Sequence, residues 1–183
     1  MLARLGDRVA ATQPQPGEEQ RFGWSERLRA ALDENRFELH AQPIVAIARP
    51  AAQRRELLLR LREGTELVPP DAFIYAAERF HMIEEIDRRV IAGAVSLISA
   101  DPAPDTHYHI NLSAVSIIEP ETLKYFRDRI SAAAIDPARL TVEITETAAI
   151  TDLDVAQRFA RELRRVGCSL ALDDFGSGFG SFS

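Results

Sequence analysis

Two adjacent carboxylates, Asp173 and Asp174, close the apolar run at residues 169–172 and lead into a stretch punctuated by Gly176, Gly178 and Gly180. The run reads as a buried strand that delivers two anions to the rim of a sheet, beside a loop. Neighbouring carboxylates at a strand end repel each other, and such a pair persists most readily where a divalent cation sits. Three earlier strand patterns carry further oxygen donors: Glu56, Asn111 and Glu143. Carboxylate and amide oxygens are the ligand type of Mg²⁺ and Mn²⁺. Each residue also has a bland role. Glu56, among Arg54, Arg55 and Arg60, could sit in a salt bridge. Asn111 could cap a turn, Glu143 could point to solvent, and the aspartate pair could cap the following loop. Strand after strand agrees, and the joint pattern reads as a cation site. A phosphoacceptor of the receiver type would use the acidic pair but leave Glu56, Asn111 and Glu143 unexplained. No Cys/His set supports zinc, and no Gly-x-Ser-x-Gly elbow supports a serine hydrolase.

These residues need elements to position them. Residues 37–47 and 54–61 read as strands. Pro69 and Pro70 open a helix around 71–79. Ile83, Ile86, Val90 and Val95 recur at helical spacing in a long amphipathic helix near 82–99. After a turn at 101–105, strands at 107–114 (ending near Asn111), 140–146 and 169–174 alternate with helices at 119–134 and 152–166. Upstream, residues 12–20 read as a linker. Ser25 is placed to cap a helix from Glu26 to about Asn35, with Leu28, Ala31 and Leu32 on one face. From the second strand onward the order is β-α-β-α-β-α-β. That alternation predicts a parallel sheet with helices outside, either an open doubly wound sheet or a (β/α)8 barrel. In a barrel the C-terminal strand ends converge on one rim, where chemistry sits. Neither GxGxxG nor GxxxxGK[ST] follows the early strands, which argues against a nucleotide-binding open sheet.

Composition narrows the class further. The 183 residues fit one domain with ample core, at 46% hydrophobic and 27% charged residues. A formal net charge of −6 argues against binding to DNA or RNA duplexes, which want a basic face. The single cysteine, Cys168, has no internal disulfide partner and reads as core. No apolar run approaches the ~18 residues of a membrane span, and the first residues lack the apolar heart of a signal peptide. A cytoplasmic protein, or the cytoplasmic part of one, is expected. His40, His81, His107 and His109 show no ligand or triad spacing, and His107 and His109 read as edge-strand residues. Trp24 and Phe37 read as packing anchors.

The segments AQPIV (41–45), ELLLR (56–60), LVPPDAFI (67–74), INLSA (110–114), TVEITET (141–147) and LALDDFGSGFGSFS (170–183) stand in one recognisable order and spacing. From about Trp24 onward the chain resembles the EAL domain, the (β/α)8-barrel phosphodiesterase of the second messenger cyclic di-GMP. The resemblance implies that Glu56, Asn111, Glu143 and Asp173 are metal ligands, with Asp174 shared between two divalent cations, Mg²⁺ or Mn²⁺. It implies that Glu146 holds the loop at 175–181, and that Gln42 and Arg60 contact substrate. An arginine fork suits a phosphate oxygen. The implied reaction is hydrolysis of one phosphodiester bond to give linear pGpG, and the complete protein is expected to be a homodimer. The name motif is Glu56-Leu57-Leu58 where the family has Glu-Ala-Leu; the carboxylate is kept.

A (β/α)8 barrel typically takes ~250 residues. The expectation is therefore about the first five barrel strands, with residues 1–24 as tail and linker and 25–183 as a partial EAL domain. The family's lysine and general-base glutamate are expected beyond Ser183, so no catalytic acid or base is assigned within the chain. The alternative is a catalytically inactive cyclic di-GMP-binding or dimerisation module. Residues 2–15 resemble the tail and linker that follow a diguanylate cyclase (GGDEF) domain, which implies a tandem GGDEF–EAL parent.

Overall fold

Alternation in the strands decides which residues face the helices and which face the other side of the sheet. The computed structural model describes residues 18–45, 53–146, 149 and 152–173, with side chains from residue 23 onward. Helix α1 (Glu18–Asp33) leads into an antiparallel pair, β1 (Phe37–Ile44) and β2 (Arg54–Glu63). A hairpin through Gly64, whose φ of 60° suits glycine, adds the short strand β3 (Glu66–Val68) to β2. A 3₁₀ turn (Pro70–Ala72) and helices α2 (Ile74–Arg79) and α3 (Ile83–Ala100) precede β4 (His107–Asn111). Then come α4 (Ala114–Ile118), α5 (Pro120–Ala133), a second 3₁₀ turn (Pro137–Arg139), β5 (Leu140–Thr145), α6 (Leu153–Val166) and β6 (Ser169–Asp173).

The sheet runs β1-β2-β4-β5-β6, with β3 off that path. All pairings from β2 onward along the path are parallel. Neighbours in sequence are neighbours in space, and a helix intervenes between each parallel pair. That is the opening of an α/β barrel rather than a doubly wound sheet, in which the order would reverse. The helix-facing residues Leu57, Ile110, Val142 and Ile144 form a core with α3, α5 and α6. Leu28 and Leu32 of α1 close a second cluster over Leu61, Phe73 and Ile86. Trp24 and Phe37 pack on Phe73 with ring centroids 6.3 and 5.8 Å away, the anchoring role expected of them. Cys168 is buried, and burial pushes its thiol up to about 12.

Some boundaries differ from the sequence reading, each for a local reason. Helix α1 starts at Glu18, inside the expected linker, so Ser25 lies within the helix and caps nothing. Glutamates are good helix formers and complement the positive N-terminal end of the helix dipole. Residues 1–17, which carry the remainder of the expected linker and the GGDEF-like tail, lie outside the described residues. Strand β4 stops at Asn111, because the Ser113 hydroxyl accepts the Ser116 N–H at 3.1 Å and turns the chain into α4.

At the N-terminal ends of β4 and β5, Arg139 is buried as a hub. It donates to the carbonyls of Thr106 (3.0 Å), Ile98 (3.3 Å) and Ala103 (3.0 Å), and to Asp101 Oδ2 (3.2 Å). The Tyr108 hydroxyl donates to the same carboxylate oxygen at 2.6 Å. Those partners, the Tyr108 hydroxyl foremost, hold the Asp101 carboxyl below its usual range.

Candidate functional site

Register brings the sequence-predicted residues onto one face of the sheet. Gln42 of β1 lies opposite Glu56 of β2, and Glu56 is in register with His109 of β4. Asn111 is in register with Glu143 of β5, and Thr145 with Asp173 of β6. The period of two in each strand then sets Gln42, Glu56, His109, Asn111, Glu143 and Asp173 on the face opposite Leu57, Ile110 and Val142. Glu143 is therefore not a solvent-facing residue of a half-buried strand. Strand β2 does not end at Glu56 but runs on to Glu63. Only Arg54–Leu57 pair with β4, while β1 pairs along Arg54–Leu61 and β3 with Leu61–Glu63. Glu56 reaches the site because it stands level with His109, two residues before β4 ends at Asn111.

Two hydrogen bonds tie the face together. Asn111 Nδ2 donates to Glu56 Oε1 at 2.9 Å, which leaves the amide carbonyl as a potential ligand. His109 Nδ1 lies 2.8 Å from Glu143 Oε1. The salt-bridge reading of Glu56 is thus replaced by a bond to an amide. Arg60 turns back on its own strand and donates to the Leu59 carbonyl at 2.7 Å, so it is not brought against the carboxylates. Gln42 is exposed on the same face as Glu56. Glu146 follows β5 directly and is half-buried. Asp174 and the loop at 175–181 lie outside the described residues.

The donor set suits a hard divalent cation: carboxylates of Glu56, Glu143 and Asp173 and the amide oxygen of Asn111, on adjacent parallel strands. Among the described residues no three His, Cys, Asp or Glu side chains close on one point.

Two residues near the site escaped the sequence reading. His109 is no edge residue: it is buried in β4, flanked by β2 and β5. Its spacing of two from Asn111 could have placed both on one face. Asp87 interrupts the apolar stripe of α3 and is 4% exposed. Its Oδ2 accepts the Ser113 N–H at 3.0 Å, which fixes the turn just after Asn111.

Burial pushes the Asp87 carboxyl up from 3.8 to about 6, against the pull of hydrogen bonds from Ser116 and Ser113. A carboxyl whose folded pKa is raised binds its proton in the folded state first. Stability from this group therefore rises as the pH falls from about 6 towards 3.8. Across that window the difference is on the order of 3 kcal/mol. Asp87→Asn is expected to remove this component, so the gap in urea midpoint between variant and wild type should change between pH 4 and 7. A constant gap would contradict the assignment.

A sequence profile of the EAL domain family matches residues 25–183. The cyclic di-GMP phosphodiesterase PdeB of Shewanella oneidensis is 38% identical over 163 residues, 87% of this chain and 19% of that protein. The cyclic di-GMP phosphodiesterase PdeF of Escherichia coli is 33% identical over 160 residues, 86% of this chain and 21% of that protein. Among solved structures, the Xanthomonas citri FimX EAL domain in complex with c-diGMP superimposes with a TM-score of 0.79 at 30% identity. That match covers 88% of this chain and 64% of the FimX domain. The PaMucR phosphodiesterase–c-di-GMP complex also gives 0.79, at 27% identity, covering 87% of this chain and 66% of that one. The chain belongs to the EAL domain family. It spans about a fifth of the length of the curated relatives it matches. Among the described residues no helix is long and apolar enough to cross a membrane.

Proposed function

We propose that this chain supplies the cation-binding and cyclic di-GMP-binding side of a phosphodiesterase that hydrolyses cyclic di-GMP to linear pGpG. The observation that carries the reading is the placement of Glu56, Asn111 and Glu143 on one face of three adjacent parallel strands, with Asn111 in register with Glu143 and hydrogen-bonded to Glu56 at 2.9 Å. The relatives named as cyclic di-GMP phosphodiesterases and the EAL structures with bound c-di-GMP support it.

Glu56, Asn111, Glu143 and Asp173 would hold a divalent cation, with Asp174 as a ligand shared with a second; Mg²⁺ and Mn²⁺ are the ions the oxygen donors suit. Bound cations polarise phosphoryl oxygens and lower the pKa of a coordinated water. The chain's own residues have simpler tasks. The carboxylates concentrate negative charge that attracts the cation, and Asn111 keeps Glu56 in one rotamer. Gln42, beside Glu56, offers an amide to the ligand, and Arg60 can swing from its backbone bond to a phosphate oxygen. Glu146 would hold the loop after the aspartate pair. We assign residues 25–183 to the EAL domain and the preceding residues to a tail. A homodimeric, cytoplasmic protein is the setting this reading favours.

Formation of pGpG from cyclic di-GMP, followed by chromatography with Mg²⁺ or Mn²⁺ and with EDTA, tests the reading on the longest protein that carries this sequence. Cation-dependent product is expected. Cation-dependent binding without product would assign a receptor module instead.

A further inference from the structure

Among the described residues the His109 ring makes one hydrogen bond, and that bond goes to a carboxylate of the candidate site. The residue is 6% exposed on β4, between β2 and β5. Its Nδ1 stands 2.8 Å from Glu143 Oε1. An ionised carboxylate only accepts, so Nδ1 carries the proton and donates. The other ring nitrogen, Nε2, is buried with no hydrogen-bond partner among the described residues. A buried polar atom without a partner costs free energy. An apolar side chain would fill the space without that cost. The ring is therefore poorly explained as packing and well explained by its single bond to Glu143.

We propose that His109 is a positioning residue for cation binding: its Nδ1–H fixes Oε1 of Glu143 and leaves the second carboxylate oxygen to the ion. This rests on the cation-site reading above. Groups that hold a ligand from behind lower metal affinity by about 10- to 100-fold when removed. The ring also restricts the Glu143 side chain before the ion arrives, so the ordering cost is already met in the folded protein.

The test is Mn²⁺ titration of the chain by calorimetry, with thermal unfolding in EDTA as the check on folding. His109→Leu is expected to weaken Mn²⁺ about 10- to 100-fold. His109→Asn keeps a donor near the Nδ1 position and is expected to stay close to wild type. If His109→Leu does not fold, His109→Gln replaces it: its donor sits near the Nε2 position, and the same weakening is expected. In a Glu143→Gln background, loss of His109 should add nothing. Equal affinities in wild type, Leu and Asn proteins, or equal losses in the Asn and Leu proteins, would overturn the proposal while leaving the cation site standing. A wild-type chain that takes up no Mn²⁺ would overturn both.

Discussion

In the longest protein that carries this sequence, replacing Glu56 with alanine is expected, on the proposed function, to abolish cation-dependent hydrolysis of cyclic di-GMP. Glu56 is the carboxylate in the structure that meets Asn111 across the β2–β4 pair, at 2.9 Å. Its removal would take away one proposed ligand and free the Asn111 amide bonded to it, so one substitution would disturb two proposed donors. Deleting a group that stabilises charge in a transition state typically costs about 100- to 1,000-fold in kcat, and loss of the ion itself costs more. The neighbouring apolar position is the control. Leu57 faces the helices, so Leu57→Ala, which restores the family's name motif, is expected to lower stability by about 2–5 kcal/mol while leaving a ligand set that still binds the ion. Stability is read from urea unfolding and turnover from pGpG release. Unchanged hydrolysis in Glu56→Ala would remove Glu56 from the site.

The second large effect is structural. Arg139→Met is expected to destabilise the fold by about 1–3 kcal/mol, the cost of leaving buried acceptors without their donor. The guanidinium satisfies the carbonyls of Thr106, Ile98 and Ala103 together with Asp101. Methionine fills much of the volume but donates nothing, so those acceptors lose their donor in a site that admits little water. Tyr108→Phe removes one bond to the same carboxylate and should cost about 0.5–1.5 kcal/mol. Because Arg139 sits at the opposite strand ends from Asn111 and Glu143, cation affinity in the folded variant should be unchanged. Urea midpoints measure the first claim, and a loss below about 1 kcal/mol would contradict the hub role.

The strands were legible because burial imposes a period of two. In TVEIT, Val142 and Ile144 face the helices and Glu143 faces the site, as the burial of β5 shows. The parallel order followed from helices between successive strands. What the sequence hid depends on partners distant in the chain. The end of β4 at Asn111 is set by a serine cap, and the level of Glu56 by its register with His109. His109 looked like an edge residue because its flanking strands, β2 and β5, lie far away in sequence on either side. Asp87 was concealed by the apolar stripe around it, and its role became visible only with the Ser113 N–H in place. The oxygen donors on the strands stand out by residue type alone; that Asn111 touches Glu56 does not.

Cyclic di-GMP titrated by calorimetry into the wild-type chain, in Mn²⁺ and then in EDTA, shows whether the ligand binds through a cation. Saturable heat is expected in Mn²⁺, disappearing in EDTA and in Glu56→Ala. Heat that is the same in Mn²⁺, EDTA and the Glu56 variant, or no heat in any of them, would contradict a cation site built on Glu56, Asn111, Glu143 and Asp173.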